Sequence, residues 1–156
     1  KGSMEECRAM VKRVIEDGSA LERLKAMVKA QGGDVSVIED TDNFAKAPFS
    51  HDVVAQKSGY ITHMDTEKCG ISSVVLGAGR ETKESDIDFS AGIMLKAKYG
   101  AYVQQGDVIA TLYSSDTTKF SAAEELFQSA ITISDIQPEP EQLIYARVEK
   151  DKVIRY

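Results

Sequence analysis

Histidine, aspartate and glutamate alternate in His63-x-Asp65-x-Glu67, the first place where this chain offers chemistry. Three such groups converging on one point can hold a metal ion or pass protons. The local pattern argues against convergence. Tyr60 to Met64 reads as a strand and the residues from Asp65 read as a helix. A strand end and a helix start aim their side chains in different directions. Asp65 also has a structural task, capping the helix, and Glu67 complements the helix dipole from the first turn. No metal site is expected here. Gly77-Ala78-Gly79-Arg80 invites comparison with a phosphate loop, but Thr82 stands where the third glycine of G-x-G-x-x-G belongs. The placement is also reversed. Phosphate loops precede a helix and use its positive end, whereas these glycines follow one. They read as a helix stop, with Arg80 complementing that end or pairing with a carboxylate across an interface.

Little else in the chain is reactive. His51 and His63 are the only histidines, and Cys7 and Cys69 the only cysteines. Two cysteines far apart exclude a cysteine-rich zinc site and suggest no disulfide framework; both are expected as small buried hydrophobes. No Ser-His-Asp set has supporting context and no nucleophile elbow is present. No catalytic, cofactor-binding or metal-ligating residue is therefore expected. A net charge of −6 opposes nucleic-acid binding, because no cation excess is available to neutralise phosphates. No apolar run reaches the roughly 20 residues of a membrane span, and no signal peptide is visible. At 156 residues, 42% hydrophobic and 28% charged, the composition is that of a soluble, cytoplasmic globular chain.

The elements that would position these groups read as follows. Ser3 and Glu6 form a capping box opening a helix to Asp17, with Cys7, Met10, Val11, Val14 and Ile15 on one face. Lys1-Gly2-Ser3-Met4 reads equally as an expression remnant or as native sequence. Gly18 stops the helix, and Ser19 with Glu22 repeats the box. Ala20, Leu21, Leu24, Met27 and Val28 form a second stripe before Gln31-Gly32-Gly33. Asp34 caps a short turn through Ile38, and the acidic stretch Glu39 to Pro48 marks a boundary between 1–48 and 49–156. Strands are expected at Phe49 to Ala55, Tyr60 to Met64, Asp88 to Leu95 and Val108 to Tyr113, with turns around Tyr102-Val103. Thr117 or Thr118 caps a helix to Ala130, with Phe120, Ala123, Leu126, Phe127 and Ala130 inward. A closing pair, Ala130 to Ile136 with Leu143 to Val148, is expected around Gln137-Pro138-Glu139-Pro140. Irregular mixing of helices and strands argues an α+β fold.

Two resemblances add to this reading. Lys98 to Val108 resembles the glycine-punctuated hairpins of biotinyl and lipoyl carrier domains, and Asp65-Thr66-Glu67-Lys68 looks like a lipoyl-lysine turn. The order is reversed, since in a lipoyl domain the modified hairpin follows the Gly-Asp turn and Lys68 precedes it. This resemblance implies a barrel-like β fold; a stand-alone binding or carrier module remains the alternative. The more extensive resemblance is to the pyrimidine-nucleoside and thymidine phosphorylases. It rests on Asp65-x-Glu67-x-x-Gly70, Leu76-Gly77-Ala78-Gly79-Arg80, Thr82-Lys83-Glu84, Ile87-Asp88, Gln31-Gly32-Gly33-Asp34 and the Gly18-Ser19-Ala20-Leu21 corner. Ser19 and Ala101 replace a lysine and an aspartate usual in the family. The resemblance implies the C-terminal portion only: a helix pair ending the family's α/β domain, then a hammerhead-like, barrel-sandwich C-terminal module. The family's enzymes are homodimers that cleave pyrimidine nucleosides with phosphate as co-substrate, giving base and pentose 1-phosphate. Its Lys-x-Ser-Thr-Gly-Gly phosphate loop and Ser-Gly-Arg-Gly nucleoside segment do not occur here. The resemblance therefore implies no catalytic residue in this chain, no cofactor, and the remainder of a parent phosphorylase as its partner.

Overall fold

The computed structural model describes residues 2–80 and 82–156, which fall into two compact units divided between Ala45 and Lys46. Lys1, part of the ambiguous N-terminal tetrapeptide, lies outside the described residues.

In the first unit, α1 (Met4–Glu16) opens with the expected box. The Glu6 amide donates to Ser3 Oγ at 3.2 Å, and the Ser3 amide donates to Glu6 Oε2 at 2.6 Å. These bonds satisfy amides that have no intrahelical partner. After Gly18, α2 (Ser19–Ala30) begins differently from the expectation. Ser19 is its first helical residue rather than its cap. Its amide donates to the Asp17 carboxylate at 2.9 Å, so the aspartate before the corner takes the capping role. Asp34 accepts the Ser36 amide at 2.8 Å and sets up α3 (Ser36–Glu39). The stripes are amphipathic in sequence, yet Val11, Ile15, Leu24 and Met27 are exposed and neither helix contains a fully buried residue. Cys7 and Cys69 are both half-buried, not buried as expected.

The second unit is α+β. One sheet has the order β1-β5-β3, from β1 (Phe49–Val54), β5 (Val108–Ser114) and β3 (Gly92–Leu95). The other has the order β4-β2-β6, from β4 (Tyr102–Val103), β2 (Gly59–Met64) and β6 (Ile131–Ser134). All pairings are antiparallel: Val53 faces Ala110, Ile93 faces Leu112 and Ile61 faces Ile133. Both sheets are open. Between β2 and β3 run α4 (Thr66–Ser73) and a π-turn, Val74–Ala78. α5 (Phe120–Ala130) leads into β6. Val53, Ile61, Leu76, Ile109, Leu112 and Phe127 from these parts share one buried cluster. Each such side chain contributes about 1.5 to 3 kcal/mol by leaving water.

Three strand and cap expectations need correction. The predicted strand from Asp88 begins only at Gly92, because Asp88 to Ala91 is held by side-chain bonds of its own. The predicted closing pair does not form. Ile131–Ser134 pairs with β2, while β7 (Ala146–Val148) pairs with β8 (Val153–Arg155) across a turn closed by the Glu149 amide on the Lys152 carbonyl, 2.8 Å. Before α5, Asp116 rather than a threonine is the cap, accepting the Thr118 amide at 2.9 Å and its hydroxyl at 2.7 Å. Inside α5, Phe120, Ala123, Phe127 and Ala130 are buried as expected, with Leu126 half-buried.

Candidate functional site

The glycine motif sits where α4 gives way to the first sheet. Asp65 lies at the end of β2, anchored by its amide on the Ala130 carbonyl at 2.9 Å, and its carboxylate accepts the Lys68 amide at 3.1 Å. The helix it caps runs into the π-turn. Gly77 there has φ +111°, a conformation side chains rarely tolerate. A Cβ at Gly77 would lie 3.3 Å from both Asp88 Cβ and Lys119 Nζ. The carbonyls at this helix end are used internally. Ser114 Oγ donates to the Leu76 carbonyl at 2.7 Å, and the Asp88 amide donates to that of Gly77 at 2.9 Å.

Asp88 ties this junction together. Its carboxylate accepts the Ser90 amide at 2.9 Å, the Ser90 hydroxyl at 2.6 Å and, across to the end of β5, the Ser115 amide at 3.0 Å. The Ser90 hydroxyl, followed by the bonds from Ser115 and the Ser90 amide, holds the Asp88 carboxyl well below the usual carboxylate range. Asp116 is lowered in the same way by Thr118. The open cavity at this junction, about 350 Å³, is lined by Asp86, Asp88, Asp116 and Lys119 among others. Three carboxylates against one ammonium disfavour a phosphate. The arrangement can fasten a helix end to a strand end; it is not an anion cradle.

The other sequence candidates stay apart. His63 is exposed on β2, Asp65 is occupied with capping, and Glu67 lies exposed in the first turn of α4. Among the described residues no group of three or more His, Cys, Asp or Glu could hold a metal ion. Lys68 lies within α4 and donates to the Ser129 carbonyl at 3.4 Å, unlike a lysine at a hairpin tip. Burial, and after it the Asp65 charge, push the Cys69 thiol up, which opposes nucleophilic use. Arg80 is exposed. Sequence reasoning missed a long-range contact: His51 Nε2 and Glu124 Oε2 stand 2.7 Å apart, with the imidazole stacked on Phe120 at 5.5 Å. The pair joins β1 to α5 over 73 positions, and no local pattern could have flagged it.

Capping aspartate, π-turn glycine and tethering aspartate thus define an α+β module whose most distinctive motif serves the junction between helix and sheet. Residues 60–134 match the pyrimidine nucleoside phosphorylase C-terminal domain. Pyrimidine-nucleoside phosphorylases of Staphylococcus aureus strains bovine RF122 / ET3-1, USA300 and NCTC 8325 are each 39% identical over 133 residues. The alignment takes in 85% of this chain and 30% of each relative, so the chain spans about a third of the length of the curated relatives it matches.

Proposed function

We propose that this chain is the C-terminal part of a pyrimidine-nucleoside phosphorylase, bracing the catalytic parts of a longer enzyme and inactive alone. The parent reaction is transfer of a pentosyl group from a pyrimidine nucleoside to phosphate in the cytoplasm, by a homodimer. On this reading residues 1–48 end the parent's α/β domain, and 49–156 form a hammerhead-like, barrel-sandwich module. The carrying observation is the 39% identity confined to 30% of each relative, together with a glycine motif spent on an internal junction. Phosphorolysis requires donors around phosphate and groups that stabilise the departing base anion. The junction presents carboxylates instead. The exposed stripes of α1 and α2 fit a partner supplied by the rest of the parent chain. The test is phosphate-dependent release of uracil and thymine from uridine and thymidine by the purified chain. No release above buffer is expected. Release that disappears when phosphate is withheld would overturn the proposal, because the chain would then contain a complete site.

A further inference from the structure

A second cleft, of about 540 Å³, opens beside the start of α4, where Thr66 and Cys69 line it. Its floor is the partly exposed margin of the core: Met64 at the end of β2, Cys69 on α4, Leu95 at the end of β3, and the Tyr99 ring. Its rim is polar. His63 and Lys98 contribute nitrogen groups, and Thr66 is the first residue of α4. Glu141 comes from the segment after β6, in which Pro138 and Pro140 flank Glu139. The Tyr99 hydroxyl donates to the Glu139 carbonyl at 3.1 Å, so this proline-stiffened strap is fastened to the cleft wall.

Size and chemistry together describe a ligand. A cavity of several hundred cubic ångströms, with an apolar floor and a few polar groups, suits a small molecule rather than a macromolecule. Met64, Leu95 and Tyr99 offer a surface for a flat apolar ring, with the Met64 sulfur able to contact an aromatic edge. The rim favours a negative head. Lys98 brings an ammonium group, and His63 adds a second donor. The amides at the start of α4 add a positive dipole end, of which the Asp65 carboxylate uses the Lys68 amide. Against these stand the Glu141 carboxylate on the strap side and the Asp65 and Glu67 carboxylates at the start of α4.

We propose that this cleft is a binding site for a small aromatic carboxylate, with its ring on Met64, Leu95 and Tyr99 and its carboxylate toward Lys98 and the first turn of α4. Its test involves no turnover. The full chain, labelled with ¹⁵N, is titrated with 1-naphthoate and separately with the neutral 1-naphthamide. Naphthoate should give saturable shifts confined to the amides around Thr66, Cys69, Leu95 and Tyr99. Lys98→Ala should weaken it by about three- to five-fold, the scale of a solvent-exposed charge contact. Leu95→Asp should abolish binding, and a dispersed spectrum of that variant shows whether it has folded. Glu141→Gln, which removes the opposing carboxylate while leaving the cleft shape, should bind as tightly or more tightly. The proposal is overturned if no saturable shift appears by about 5 mM, where a millimolar site is mostly filled. It is also overturned if the shifts map elsewhere, if naphthamide binds equally well, or if Lys98→Ala changes nothing.

Discussion

Replacing Gly77 by alanine tests the assignment of the glycine motif to the helix–sheet junction. Two costs arise. At φ +111° an L-residue is strained, by about 1 to 3 kcal/mol for such sparsely populated backbone. The new methyl would also stand 3.3 Å from Asp88 Cβ, which is fixed by its three accepted hydrogen bonds, and 3.3 Å from Lys119 Nζ, which can swing away. Moving Asp88 by a few tenths of an ångström loosens its hold on Ser115, so the total should be roughly 2 to 3 kcal/mol. Gly70 is the internal control. It lies within α4, has no positive φ, and nothing would meet its Cβ within 4 Å. Gly70→Ala should therefore stabilise by about 0.5 to 1 kcal/mol. All six tyrosines lie in the second unit and the chain has no tryptophan, so tyrosine fluorescence in urea follows that unit alone. With an m-value of roughly 1 to 3 kcal/mol/M, Gly77→Ala should lower the midpoint by about 1 to 2 M, and Gly70→Ala should raise it. A Gly77→Ala midpoint within experimental error of the parent chain would refute the argument. So would equal losses at both glycines, because the effect would then be generic to glycine.

Two further outcomes follow from the same junction. The Asp88 carboxyl is held low in the folded chain, so its contribution is fully present above the ordinary carboxylate value near 4 and is lost as pH falls below it. Asp88→Asn should cost about 1 kcal/mol at pH 7, a figure reduced for solvent screening of a scarcely buried carboxylate, and its gap from the parent chain should narrow in urea titrations as pH falls below about 4; a gap independent of pH would contradict the assigned charge. Asp65→Ala removes the cap of α4 and should cost about 1 kcal/mol, with faster hydrogen exchange at the Lys68 amide; unchanged exchange there would show that the cap does not protect it.

The features legible in the sequence are those whose partners lie a few positions away. Ser3 with Glu6, Asp34 with Ser36, and Asp65 with Lys68 are separated by two or three residues, and each was readable as a cap. Even at this range, competition between neighbours misleads. Asp17 and Asp116 each take a cap expected of a hydroxyl residue, because a carboxylate two positions upstream of an amide makes a stronger, charge-assisted bond. Strand pairing is a different kind of information. The alternation in Ile131–Ser134 marks a strand without naming its partner, which is β2, some 70 residues earlier. Pro138 and Pro140 read as a hairpin turn, yet their segment becomes a strap held by Tyr99. The site reading depended on the same distinction. The helix stop at Gly77 was readable from its neighbours, whereas the floor of the second cleft gathers β2, α4 and β3, which no window along the chain contains.

The position of Asp88 gives so distinctive a motif a structural purpose. A helix leaving a sheet must end with its carbonyls facing either water or donors. Here the π-turn directs the Leu76 and Gly77 carbonyls at the Ser114 hydroxyl and the Asp88 amide, and Leu76 and Gly77 are themselves buried. Burial without those donors would cost about 1 to 3 kcal/mol per carbonyl. A side chain at Gly77 would displace the residue that supplies one of them. Glycine, the tethering aspartate and the serines at the end of β5 are therefore interdependent, and any one of them altered exposes the others to loss. That interdependence accounts on structural grounds for the Leu-Gly-Ala-Gly-Arg and Ile-Asp elements occurring together in this chain.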